Sequence, residues 1–199
     1  MGGRMTIPNL HKALPVSYKP MTQFEAPNMT PEEFELTVFE YLKEIGSQLT
    51  NFTIVHNTKE IANDGTYQID IRAQFEALGA KFTTLVECKH HKNPIKRETV
   101  QILKDKLHSL GAQKGILFTT ASFQAGCIEY AEKHGIALVR MIDGRSTYQV
   151  KSMDKQIIHY PPDLPKYIGE YIYNKTENGY TSYYIQKGWI DGLKDFLLA

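Results

Sequence analysis

The chain has 199 residues, 42% of them hydrophobic and 23% charged, the balance of an ordinary globular protein with one good core and an appendage. Its formal net charge of +1 excludes a protein held to a polyanion by overall charge alone. No apolar run approaches the roughly 20 residues that cross a bilayer, and the opening Met-Gly-Gly-Arg-Met-Thr lacks a secretory apolar stretch, so a cytoplasmic protein without a membrane partner is expected.

Residues 1–29 carry Pro8, Pro15, Pro20 and Pro27 with little apolar periodicity and read as an extended arm. Thr30-Pro31-Glu32-Glu33 then supplies an N-cap, a proline at the first helical position and a capping-box glutamate. Phe34, Val38, Tyr41, Leu42 and Ile45 follow at helical spacing, and Gly46 is the expected stop. A short strand is predicted over 51–56, with a turn at Asn63-Asp64-Gly65.

From Tyr67 to Phe75 the chain alternates, with Ile69, Ile71, Ala73 and Phe75 on one face and Gln68, Asp70, Arg72 and Gln74 on the other. A strand over 81–89 sets Val86 and Cys88 on one face, Leu85, Glu87 and Lys89 on the other. Helical spacing returns at Val100, Leu103, Leu107 and Leu110 with Gly111 as the stop. A strand over 115–119, a helix over 122–134 closed by Gly135 and a strand over 136–141 complete an α/β core that ends near Asp143.

Beyond it, seven of the twelve tyrosines fall between Tyr160 and Tyr184. Runs over 167–173 and 180–186, joined through Asn178-Gly179, read as a hairpin, and 189–198 as a short closing helix. The expected fold is therefore α/β, a mixed sheet with helices on its faces and at least one parallel crossover, followed by a small tyrosine-rich hairpin and helix.

Glu87 and Lys89 lie two apart on a strand, so both side chains leave the same face, and Asp70 stands on the strand before. Hydrolysis of a phosphodiester requires a divalent cation to offset phosphate charge and acidify the attacking water, and hard carboxylate oxygens suit Mg²⁺. Asp70 and Glu87 are candidate donors of those oxygens. Lys89 is the candidate to orient or help deprotonate the water and to stabilise charge in the transition state. The plain alternative is an exposed strand pair beside an ordinary polar aspartate. The apolar surroundings of Glu87 favour the chemical reading, because a carboxylate buried without a partner is costly.

Asp70, then Val86-Glu87-Cys88-Lys89 and a basic segment, then 111–120 (Gly-Ala-Gln-Lys-Gly-Ile-Leu-Phe-Thr-Thr) and 131–136 (Ala-Glu-Lys-His-Gly-Ile), resemble the Mrr-type restriction endonuclease catalytic domain. The resemblance covers about residues 30–143. It implies the PD-(D/E)xK nuclease fold, a mixed sheet flanked by helices, and a Mg²⁺-dependent endonuclease acting on DNA, with Mn²⁺ as the substitute ion. On it, Asp70 and Glu87 correspond to metal ligands, the Cys88 carbonyl to a further ligand, Lys89 to the catalytic lysine, and Glu35 to the acidic residue often set beside the metal. Gln101 is a candidate neighbour of the site. Glu35 and Gln101 read equally well as a solvated helix carboxylate and a surface glutamine. Gln68-Ile69 stands where the named motif has its proline.

The chain then divides into an arm (1–29), the nuclease-like domain (30–143) and the tyrosine-rich extension (144–199). Lys92, Lys96 and Arg97 become candidates to contact phosphates without reading sequence. Asp64 competes with Asp70 as the motif aspartate but sits in a natural turn. Cys88 and Cys127 are expected as free thiols near the core, and their spacing with His90 and His91 matches no standard zinc pairing. For the tyrosine hairpin, packing on the core ranks ahead of homodimerisation and of base stacking. Defence against foreign DNA or repair is the expected setting. A binding module that keeps the fold without cleaving, and a resolvase of branched DNA, stay open beside it.

Overall fold

Thr30 begins the first helix as its sequence requires: its hydroxyl accepts from the Glu33 amide while the Glu33 carboxylate accepts from the Thr30 amide. This helix, α1 (Pro31–Gly46), buries Phe34, Val38, Leu42 and Ile45 along one stripe. The computed structural model describes residues 27–143, 166–176, 179–185 and 191–198, so nearly all of the proline-bearing arm lies outside the described residues. The helix ends at Gly46, the expected stop, though not through a left-handed residue. A Cβ there would collide with the ring of Phe52, and the chain leaves through Ser47 in ordinary right-handed geometry. Gly111 and Gly135 do end their helices with φ of +63° and +61°.

Seven strands form one sheet in sequence order: β1 (Thr50–Ala62), β2 (Gly65–Ala77), β3 (Ala80–Lys89), β4 (Lys114–Thr119), β5 (Ile136–Asp143), β6 (Tyr167–Thr176) and β7 (Gly179–Ile185). β3, β4 and β5 are parallel neighbours, joined through α2 (Arg97–Ser109) and α3 (Ala125–Lys133), and the other pairings are antiparallel. This is the expected α/β class with a mixed sheet. β1 runs well past the short strand predicted, because its polar second half pairs with β2 as an edge strand whose alternate residues face solvent.

Two apolar clusters cover the two faces. α1 and the last helix, α4 (Asp191–Leu198), pack over Ile71, Phe75, Val86, Cys88, Ile116, Phe118, Val139 and Met141. α2 and α3 pack over Ile69, Leu85, Leu117 and Leu138. The tyrosine-rich hairpin extends the sheet past β5. Tyr167 and Tyr171 join the first cluster and Tyr180 the second, the packing role ranked first. Tyr41 anchors it from α1 through a hydrogen bond to the Ile185 carbonyl.

Arg140 on β5 and Glu170 on β6 sit opposite each other and meet at 2.8 Å with both side chains almost wholly buried; Ser182 donates to the same carboxylate. Removing one partner of such a pair leaves the other buried and uncompensated. Arg140→Met is therefore expected to lower stability by about 3–5 kcal/mol in urea denaturation, and the double variant Arg140→Met/Glu170→Leu to recover most of that loss.

Candidate active site

The β2–β3 ladder runs regularly from Ala77↔Ala80 to Ile71↔Val86 and stops there. At the next residue Asp70 turns its carboxylate sideways, and Oδ2 accepts the backbone N–H of Cys88 at 2.7 Å. A side chain thus takes a donor that a continued ladder would have served, and the two strands part like a fork. On the other side of β2, Asn57 adopts φ +54° between the His56↔Ile71 and Thr58↔Ile69 pairs. Asparagine tolerates that left-handed region better than most residues. The strand rolls over at this point, so Ile69 packs under α2 while Ile71 packs under α1. The single apolar face expected for Ile69, Ile71, Ala73 and Phe75 is thereby corrected. The roll at Asp70 breaks the two-residue period that a continuous strand would keep.

Glu87 and Lys89 leave β3 on the α2 face, as their spacing implies. Glu87 is only 7% exposed, and both its carboxylate oxygens are occupied. Oε1 accepts from Lys89 Nζ, and Oε2 accepts from Lys106 Nζ at 2.7 Å. Lys106 comes from α2 and also donates to the Gln68 carbonyl, at 2.9 Å, just beyond the fork. In the sequence Lys106 is one member of a basic run, and only its lack of exposure singles it out. Its 15% exposed side chain could have been suspected from its place three after Leu103, on the buried side of an amphipathic helix.

The charges respond in opposite directions. Burial pushes the Asp70 carboxyl above the usual range and the nearby Glu87 adds to this, against the Cys88 N–H and Lys89. Burial also opposes ionisation of Glu87, but Lys89 and Lys106 outweigh it and hold that carboxyl below its usual value. For Lys89, burial favours the neutral amine, yet Glu87 prevails and the ammonium is held more firmly than usual. Two adjacent carboxylates with displaced affinities for protons are a recognised mark of a functional site.

Glu35 reaches toward this site from the first turns of α1. Its carboxylate lies 3.4 Å from His56 Nε2 and is near enough to Asp70 to help raise that group's pKa. Gln101 is exposed on α2 and leaves the helix about 140° away from Lys106, so the two project from different faces. Lys92 and Lys96 are exposed on the segment between β3 and α2. That segment is pinned to the one after β4: the Ile95 N–H donates to Ser122, the Gln124 N–H to Ile95, and Thr120 Oγ1 exchanges hydrogen bonds with His91. Arg97 lays its guanidinium 4.8 Å from the Tyr130 ring centre on α3. Asp64, the rival aspartate, accepts from Tyr67 at 2.9 Å and from Ser109 at 2.6 Å, which straps the β1–β2 turn to the end of α2.

Among the described residues, no three or more His, Cys, Asp and Glu side chains converge as a metal cage. Two neighbouring carboxylates still suit Mg²⁺, which keeps several waters and takes only one or two protein carboxylates. They do not suit zinc. Cys88 and Cys127 are buried free thiols on opposite faces of the sheet; burial pushes the Cys88 thiol well up and the Cys127 thiol to about 12, far from thiolate ligands.

A mixed sheet flanked by helices, with Asp, Glu and Lys gathered where two strands part, is an arrangement of the restriction-endonuclease-like class. The chain belongs to the restriction endonuclease family of Mrr catalytic domains, whose sequence profile matches residues 26–146. No curated protein matches it. Among solved structures it is similar to the "Protein of Unknown Function AF1548", with 20% identity and a TM-score of 0.43; the match covers 53% of this chain and 56% of that one. Among the described residues no helix is long and apolar enough to cross a membrane.

Because the fold disfavours a charged Asp70, Asp70→Asn should raise the melting temperature of the metal-free protein at neutral pH while keeping an acceptor for Cys88. The sign follows from linkage. The folded carboxyl binds its proton more tightly than the unfolded one, so wild-type stability falls as pH rises from about 4 through the folded pKa. The advantage of the Asn variant should open over that interval and vanish in more acid solution, as calorimetry against pH would show.

Proposed function

We propose that this protein is a metal-dependent endodeoxyribonuclease that hydrolyses phosphodiester bonds in DNA, with Asp70, Glu87 and Lys89 as its central residues. The observation that carries this reading is the fork itself: Asp70 is swung out of the ladder into the gap beside Glu87 and Lys89. A strand aspartate in an unbroken ladder would leave the Cys88 amide to the backbone, and its engagement here supports reading the three residues as one group.

The Asp70 and Glu87 carboxylates, with the Cys88 carbonyl, would hold Mg²⁺ or Mn²⁺. When bound, the ion supplies charge to offset the phosphate and lowers the pKa of the attacking water. Asp70 is already oriented by the Cys88 N–H, which engages one of its two oxygens. Lys89 is charged in the resting site. That favours a role in stabilising negative charge on the phosphorus centre and in orienting the water over a role as general base. Glu35 adds a further acidic group on the α1 side, with His56 beside it.

Lys92 and Lys96 would meet DNA phosphates next to the site on a segment held by hydrogen bonds to the one after β4. Arg97 would do so from a guanidinium already ordered by Tyr130. These contacts position the duplex and read no sequence. Cleavage of both strands would call for two copies of the site, and a homodimer is the simplest source.

Supercoiled plasmid incubated with Mg²⁺ or Mn²⁺ should be nicked and linearised, and chelation should stop it. Lys89→Ala should lower the rate by about 10²–10³-fold, and Asp70→Ala and Glu87→Ala should lose activity while remaining folded by circular dichroism. Metal-independent DNA binding with no cleavage of supercoiled, linear or branched DNA would instead identify a binding module on the same fold.

A further inference from the structure

Glu87 carries one more cation than the proposed chemistry needs. Its two oxygens face two ammonium groups, Lys89 from its own strand and Lys106 from α2, with the carboxylate buried between them. With Asp70, the group holds two formal negative and two formal positive charges and is balanced as it stands. A buried carboxylate is ordinarily stabilised by one good ion pair with satisfied hydrogen bonds, so the second lysine calls for its own reason.

The two lysines differ in what they could fall back on. The Lys89 ammonium has Glu87 as its hydrogen-bonding partner at the site. Lys106 has two acceptors, Glu87 Oε2 at 2.7 Å and the Gln68 carbonyl at 2.9 Å. It can give up the carboxylate and stay hydrogen-bonded to the backbone of β2, so its ammonium keeps an acceptor after release. One turn further along α2, Ser109 is strapped to Asp64 in the turn that begins β2. The helix that carries Lys106 is thereby fixed to the strand that carries its second acceptor.

We propose that Lys106 is a positioning residue that acts as a displaceable stand-in cation. In the resting protein it occupies the Glu87 oxygen otherwise available to a divalent ion, keeps that carboxylate oriented and holds the fork open, and it retreats onto the Gln68 carbonyl when the ion arrives. The inference rests on the reading of Glu87 as a metal ligand. It implies that metal affinity in the absence of DNA is held down by competition and rises when the competing charge is removed. A purely structural lysine would lower stability when lost and leave metal affinity unchanged or weaker.

The test is a titration of the full chain with Mn²⁺, following free ion by electron paramagnetic resonance, with Mg²⁺ competition and no DNA present. Lys106→Met removes charge and hydrogen bonds together. Lys106→Gln removes the charge but keeps a donor for Gln68 and Glu87, and serves if the Met variant does not fold. Either is expected to bind Mn²⁺ at least threefold more tightly than wild type, and Lys106→Arg to return the affinity toward the wild-type value. Glu87→Gln separates the two levels of the argument. If it loses Mn²⁺ binding while both neutral Lys106 variants bind no more tightly than wild type, the stand-in role is overturned and the metal reading survives. If Glu87→Gln binds Mn²⁺ as wild type does, Glu87 is not a ligand and both fall.

Discussion

The hydrogen bond from the Cys88 amide to the Asp70 carboxylate is the contact on which the rest of this structure turns. It ends one ladder and begins a site. A backbone amide beside a sheet must find an acceptor, and here the acceptor is an acidic side chain from the neighbouring strand. Once Asp70 turns into the gap, β2 rolls over. Ile69 and Ile71 then seal opposite faces of the sheet, and the Gln68 carbonyl is left for Lys106.

Around that fork the fold supplies rigid support from both sides. α1 brings Glu35 from one face, locked at its start by a reciprocal capping box. α2 brings Lys106 from the other, its end strapped to the β1–β2 turn through Ser109, Asp64 and Tyr67. The segments that follow β3 and β4 are joined by backbone bonds at Ile95, so the exposed Lys92 and Lys96 ride on a braced loop. A reacting constellation needs such a frame, because small misplacements of its groups are expensive in rate.

The balance of charge at the fork explains how so much ionisable chemistry survives burial. Glu87 stays ionised because two ammoniums meet its oxygens, whereas burial and then the neighbouring Glu87 carboxylate hold Asp70 toward its protonated form. Such a site is a local compromise of stability for function. Elsewhere in the sheet the Arg140–Glu170 pair shows the contrast: it is more deeply buried and joins two adjacent strands directly.

Much of this was legible in the chain itself. The Thr30 cap, the apolar stripes of the helices and the two-residue spacing of Glu87 and Lys89 are local, and local periodicity reports which side chains share a face. The position of Asp70 on the preceding strand makes it a candidate, and the strand, helix, strand order implies the mixed sheet. What sequence could not convey is whatever depends on residues far apart meeting. Gly46 ends its helix as expected, but that a Cβ there would meet Phe52 depends on how the chain turns back into β1. Ile69 looked like a companion of Ile71 because periodicity assumes an unbroken strand. The place of Lys106 beside the buried stripe of its helix hints at burial, but not at its partners Gln68 and Glu87, which come from two different strands. The sequence by itself determined the elements and their faces; only the tertiary structure decided where a ladder breaks, because that depends on which side chain reaches a backbone amide on another strand.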